Sequence, residues 1–155
     1  MNELLSNFDI IDICKELNIR LIKCGYKSDL VGKCLNGGYI INLDDAGGAG
    51  THWTSLFVDG SNVCYYDSFG MIYPKEVERF CKGKNIIYNY NDIQYINDTH
   101  CGWYCIAFLH YFQNNNNSDM LLSDELNKFV NHFSSNPKVN LKRLVEYFKS
   151  IYRTK

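Results

Sequence analysis

The sequence predicts an α+β fold with a central, mostly antiparallel sheet flanked by helices, and three observations carry that expectation. Two apolar, β-rich runs at residues 52–58 and 63–68 are joined by Asp59-Gly60-Ser61-Asn62, a strong hairpin signal. A third run, residues 101–112, repeats Tyr104, Phe108 and Tyr111 beside Cys105, Leu109 and Phe112 at helical spacing. Beyond it, residues 118–155 hold two amphipathic helical patterns, at about 121–133 and 140–152. With 155 residues, 46% hydrophobic and 15% aromatic, the chain is sized for one domain with a real core, spanning 1–155.

The elements follow in order. Residues 6–17 read as a short amphipathic helix with Ser6 as N-cap and Asp9 three residues on, and with Ile10, Ile13, Cys14 and Leu17 on one face. From Arg20 to Cys34 the pattern is mixed, punctuated by Gly25 and Gly32, and carries no assigned element. Tyr39 to Leu43 is a strand candidate, followed by a glycine-rich loop ending at Gly50. That loop runs into Thr51-His52-Trp53 where a phosphate-binding loop needs Gly-Lys-Ser/Thr, so a nucleotide site is rejected. Its expected role is the lip of a cleft, where missing side chains let a substrate backbone approach. After the hairpin, Pro74 opens a helix over 75–82, Ile86 to Tyr90 is a further strand, and the polar turn Asn97-Asp98-Thr99 leads into the Cys101 helix.

Chemistry concentrates at a few positions. Cys101-Gly102 sits where the helix begins, and first-turn N–H groups lack intrahelical partners and carry the positive dipole end. A thiol placed there is stabilised as thiolate, the nucleophilic form. If Val58 pairs with Val63, Thr54 faces Asp67 and His52 faces Phe69. His52 and Asp67 are then diagonal neighbours on one face, about 7–8 Å apart at the backbone. A register slip of one residue would send Asp67 to the other face. Asp59 is the competing carboxylate, but Asp-Gly at the hairpin tip already explains it. Zinc is disfavoured: His100, Cys101, Cys105 and His110 crowd one segment, yet the chain contains no Cys-x-x-Cys pair, and no metal is expected.

His52-Trp53, Asp67 one strand later, Gln94 seven residues before the nucleophile, and Cys101-Gly102 opening a helix that reads FLHYF together resemble the adenovirus-type cysteine proteases, the adenain family. The likeness extends more distantly to the ubiquitin-like-protein proteases that share its fold. It runs from about Asp9 to about Phe112, with residues 8–113 as the catalytic core and 118–155 as C-terminal helices. The resemblance implies a papain-like fold and a thiol protease with Cys101 as nucleophile, His52 as base and Asp67 orienting the imidazole. It places Gln94 and the Cys101 N–H at the oxyanion. Trp53, Gly50 and Gly102 are the expected substrate-binding residues, favouring small residues at Gly-Gly or Gly-Ala sites. Asp67 stands where the adenovirus enzymes carry glutamate, and in this it looks like the ubiquitin-like-protein protease version. The resemblance further implies a viral maturation endopeptidase, of a virophage or related virus, acting on capsid or other structural precursors. A ubiquitin-like-protein protease is the alternative, and a non-enzymatic nucleic-acid-binding module a further one.

Composition sets the remaining expectations. A formal net charge of −1 gives no global attraction to nucleic acid or anionic membrane. Without a long apolar run or a signal-peptide start, the chain is expected in the host cytoplasm, viral factory or virion, with no membrane partner and as a monomer. Seven cysteines without a secretory signal read as free thiols. Residues 128–155 hold seven Lys or Arg against the single acid Glu146, a solvated face or a patch for nucleic acid or an acidic partner. The adenovirus enzymes use a DNA cofactor and an activating peptide joined through a cysteine. Cys81 is the nearest residue here to that linking position, and no cofactor is expected from the residues themselves.

Overall fold

The helix α1 (Asn7–Glu16) opens the chain on the capping box expected of it: Ser6 Oγ accepts from the Asp9 N–H at 3.1 Å, and Asp9 Oδ2 accepts from the Ser6 N–H at 2.9 Å. The computed structural model describes residues 1, 4–44, 52–115 and 120–153. The glycine-rich loop with Gly50 lies outside the described residues. After α1 come β1 (Leu21–Tyr26), β2 (Gly37–Asn42), β3 (Trp53–Asp59), β4 (Asn62–Tyr66), α2 (Lys75–Phe80), β5 (Asn85–Tyr88), α3 (Cys101–Asn115), α4 (Leu122–Val130) and α5 (Asn140–Arg153).

The five strands lie side by side in chain order. The two central pairings, β2 with β3 and β3 with β4, are antiparallel, and Val58 pairs with Val63 as the hairpin signal requires. The outer pairings, β1 with β2 and β4 with β5, are parallel, so the sheet is mixed rather than mostly antiparallel. Parallel neighbours need a crossover, and α2 provides one between β4 and β5. The unassigned stretch at 20–34 contains β1, whose residues LIKCGY are all half-buried. Without an alternating apolar pattern it carries no strand signal.

Alternation along the strands splits the core in two. Tyr39, Ile41, Leu56, Val58, Val63 and Tyr65 face one layer with Val77 and Cys81 near α2. Ile40, Cys64 and Tyr66 face the other, packed on α3. That helix buries eleven of its fifteen residues, so it runs through the middle of the protein instead of lying on its surface. Leu126, Phe129, Leu144, Phe148 and Ile151 bring α4 and α5 into the same cluster, so the C-terminal helices and the sheet share one core. All seven cysteines are unbridged. Among the described residues no helix is long and apolar enough to cross a membrane.

Phe129 of α4 is fully buried and meets the rings of Tyr66, Phe108, Tyr111 and Phe133 at centroid distances of 5.3 to 5.7 Å. Phe129→Ala should therefore cost about 3–5 kcal/mol in urea unfolding. A loss near zero would show that α4 does not belong to the core.

Candidate active site

His52 sits one residue before β3, at the open end of the hairpin. Its backbone carbonyl accepts from the Leu43 N–H at 2.9 Å, which ties it to the end of β2. Asp67 follows directly on β4. The register that pairs Val58 with Val63 brings the two side chains together: His52 Nε2 lies 2.8 Å from Asp67 Oδ1. The His52 ring also stacks on Phe69, centroids 4.6 Å apart, the residue expected opposite it.

Asp67 is almost fully buried and its surroundings hold it still. The Phe69 N–H donates to the same Oδ1 at 2.8 Å. Asn89, just past β5, takes the Asp67 N–H on Oδ1 at 3.0 Å and donates from Nδ2 to the Asp67 carbonyl at 2.7 Å. The chain then turns, the Gly70 N–H donating to the Asp67 carbonyl at 2.8 Å. Gly70 has φ +75°, and a Cβ there would lie 2.9 Å from the backbone of Tyr90 and Asn91, so only glycine fits the turn.

Cys101 is the first residue of α3 and is 8% exposed. Its Sγ receives the Trp53 N–H at 3.5 Å, which places the sulfur beside the start of β3 and next to His52. Since Nε2 is taken by Asp67, Nδ1 is the ring nitrogen left for the thiol. Burial pushes the His52 pKa down, but hydrogen bonds and charge from Asp67 and then Cys101 outweigh it and raise the pKa from 6.5 to about 9. At neutral pH the imidazole is therefore protonated. Burial pushes up the other six thiols, Cys14, Cys24 and Cys81 to about 12 and Cys34, Cys64 and Cys105 in the same direction.

His52, Trp53 and Cys101 open onto a cleft of about 610 Å³ that Leu4, Leu5, Cys24 and Tyr26 also line. The Trp53 indole Nε1 donates to the Leu5 carbonyl at 3.0 Å, so the segment before α1 braces the cleft wall. Gly102 is buried, and a Cβ on it would come within 3.2 Å of Leu5 and 3.4 Å of Trp53, two residues that line the cleft. Gly50 falls outside the described residues. Gln94 is 1% exposed, its Oε1 accepting from Ser68 Oγ at 2.5 Å and its Nε2 donating to the Asp98 carbonyl at 2.5 Å. Asp98 in turn holds His100, the residue before Cys101, accepting its backbone N–H at 3.0 Å and contacting its ring. Sequence reasoning assigns no role at the site to Ser68, Asn89, Leu5 or Asp98. Only Leu5, an apolar residue just before a helix cap, carries a local signal. Among the described residues no group of three or more His, Cys, Asp or Glu is placed to hold a metal ion.

No family model and no curated protein matches the sequence. The structure is similar to several solved ones, two of which follow. The ASFV pS273R protease matches with a TM-score of 0.51 and 20% identity, covering 81% of this chain and 66% of that one. ChlaDub1 from Chlamydia trachomatis matches with a TM-score of 0.50 and 15% identity, covering 74% of this chain and 59% of that one. The chain thus spans less than two thirds of either neighbour. The likeness establishes the fold: α+β, with a mixed five-stranded sheet flanked by helices, shared with these two proteins.

The raised His52 pKa makes stability depend on pH with a definite sign. A folded-state pKa above the unfolded 6.5 means that the imidazolium stabilises the fold fully below pH 6.5, and that this is lost as pH rises through about 9. In Asp67→Asn the His52 ring should titrate well below 9 by NMR, because the largest raising cause is gone. An unchanged titration would break the assignment of the shift to Asp67.

Proposed function

We propose that this chain is a cysteine endopeptidase with Cys101 as nucleophile, His52 as acid–base and Asp67 as the residue that orients His52. The observation that carries the reading is the 2.8 Å His52–Asp67 contact beside the Cys101 sulfur, on the wall of a 610 Å³ cleft. The proton that Cys101 gives up resides on His52, and the thiolate attacks a peptide carbonyl to form the C–S bond. The negative oxygen is held by the Cys101 N–H, a first-turn donor with no intrahelical partner, and by a Gln94 N–H. His52 passes its proton to the departing amine as the C–N bond breaks. Water, deprotonated by His52, then releases the thioester. Asp67 fixes the tautomer by accepting a hydrogen bond from Nε2–H on Oδ1.

The substrates in this reading are viral structural precursors, cleaved at small-residue sites during particle maturation. Trp53 on the cleft wall, braced by Leu5, supports a narrow approach to the sulfur. The exposed Lys128 of α4, Lys138 between the helices, and Lys142, Arg143, Lys149 and Arg153 of α5 would meet nucleic acid. A second reading keeps the chemistry and takes a ubiquitin-like modifier as substrate. It is favoured by the fold shared with ChlaDub1 and the ASFV protease and by aspartate at position 67.

Mass spectrometry of capsid precursors co-expressed with the wild type should show discrete fragments that are absent with Cys101→Ala. Identical fragments from both would defeat the proposal. Cleavage of modifier fusions with the precursors left intact would select the second reading. His52→Ala should lower kcat/KM by about a thousandfold.

A further inference from the structure

The Gln94 carboxamide has only one orientation compatible with its neighbours. The Asp98 carbonyl can only accept, so the group 2.5 Å from it must be Nε2. Oε1 then faces Ser68 Oγ at 2.5 Å, and the serine hydroxyl must be the donor. Oε1 and one of the two Nε2 hydrogens are thereby occupied, and a single N–H is left over. Ser68 grips the same residue by its backbone too, its carbonyl accepting the N–H groups of Ile93 at 2.8 Å and Gln94 at 2.9 Å. Both side chains are 1% exposed, so no bulk water stands ready to replace the hydroxyl.

We propose that Ser68 is a positioning residue that aims the remaining Gln94 N–H at the oxyanion. The inference rests on the protease reading above and deepens it. Asp67 and Ser68 are consecutive, so one dipeptide leaving β4 orients both the imidazole, through Asp67 Oδ1, and the carboxamide, through Ser68 Oγ. Without the hydroxyl, Oε1 is left buried and unpaired, and the carboxamide is free to turn toward another partner.

A double-mutant cycle tests this, with kcat and KM measured on a Gly-Gly-aminomethylcoumarin peptide and Cys101 alkylation by iodoacetamide followed in parallel. Ser68→Ala should lower kcat about tenfold with KM unchanged, less than the hundredfold or more that follows outright loss of an oxyanion donor. In a Gln94→Ala background the same change should cost less than about twofold, because Ser68 acts through Gln94. Alkylation needs no oxyanion donor, so its rate should be equal in all four proteins. An equal loss from Ser68→Ala in both backgrounds, or no loss beside an intact Gln94, overturns the proposal. Should Ser68→Ala fail to fold, Ser68→Cys, close in volume and a weaker donor, carries the same cycle with a smaller loss. A wild type that neither cleaves the peptide nor is alkylated at Cys101 refutes the protease reading itself, and the role of Ser68 falls with it.

Discussion

The hydrogen bond between His52 Nε2 and Asp67 Oδ1 is the contact on which the arrangement of the site depends. It joins residues fifteen apart that a hairpin brings face to face, and it exists only because β3 and β4 pair with Val58 opposite Val63. A slip of one residue would turn Asp67 to the opposite face of the sheet and leave a buried carboxylate with no imidazole to meet it. The contact also decides which ring nitrogen faces the sulfur and, together with Cys101, raises the imidazole pKa despite burial that works against it.

Around that contact the fold converges from three directions. The sheet ends at His52 and Asp67, α3 begins at Cys101, and the segment before α1 closes the cleft through Leu5 against Trp53. Burial pushes six of the seven thiols, Cys14, Cys24, Cys34, Cys64, Cys81 and Cys105, up toward the unreactive protonated form. The same architecture in the ASFV pS273R protease and in ChlaDub1, at 20% and 15% identity, shows how little of the sequence this fold needs to hold constant.

Much of this was legible before the structure. The capping box at Ser6 and Asp9, the hairpin register, and the helices at 101, 122 and 140 each follow from local patterns that the structure repeats. The pairing of His52 with Asp67 followed from the hairpin register as well as from the family resemblance, and the structure repeats that register. What escaped has a common physical cause. Strand β1 is half-buried throughout and shows no alternation, and the parallel edges depend on crossovers that no short window contains. Ser68 meets Gln94 across 26 positions and Asn89 meets Asp67 across 22, contacts between polar residues that leave no period in the chain. Gly102 packs closely against Leu5 and Trp53, a contact that no sequence window displays.

The central claim, that residue 52 makes the sulfur of residue 101 the reactive one, is most directly tested by residue-resolved labelling of all seven cysteines with chloroacetamide at pH 7, in the wild type and in His52→Ala. The account predicts that Cys101 is labelled at least about tenfold faster than any other cysteine, and that this advantage disappears in the variant. Uniform labelling of the seven, or an advantage for Cys101 that survives without His52, would contradict it.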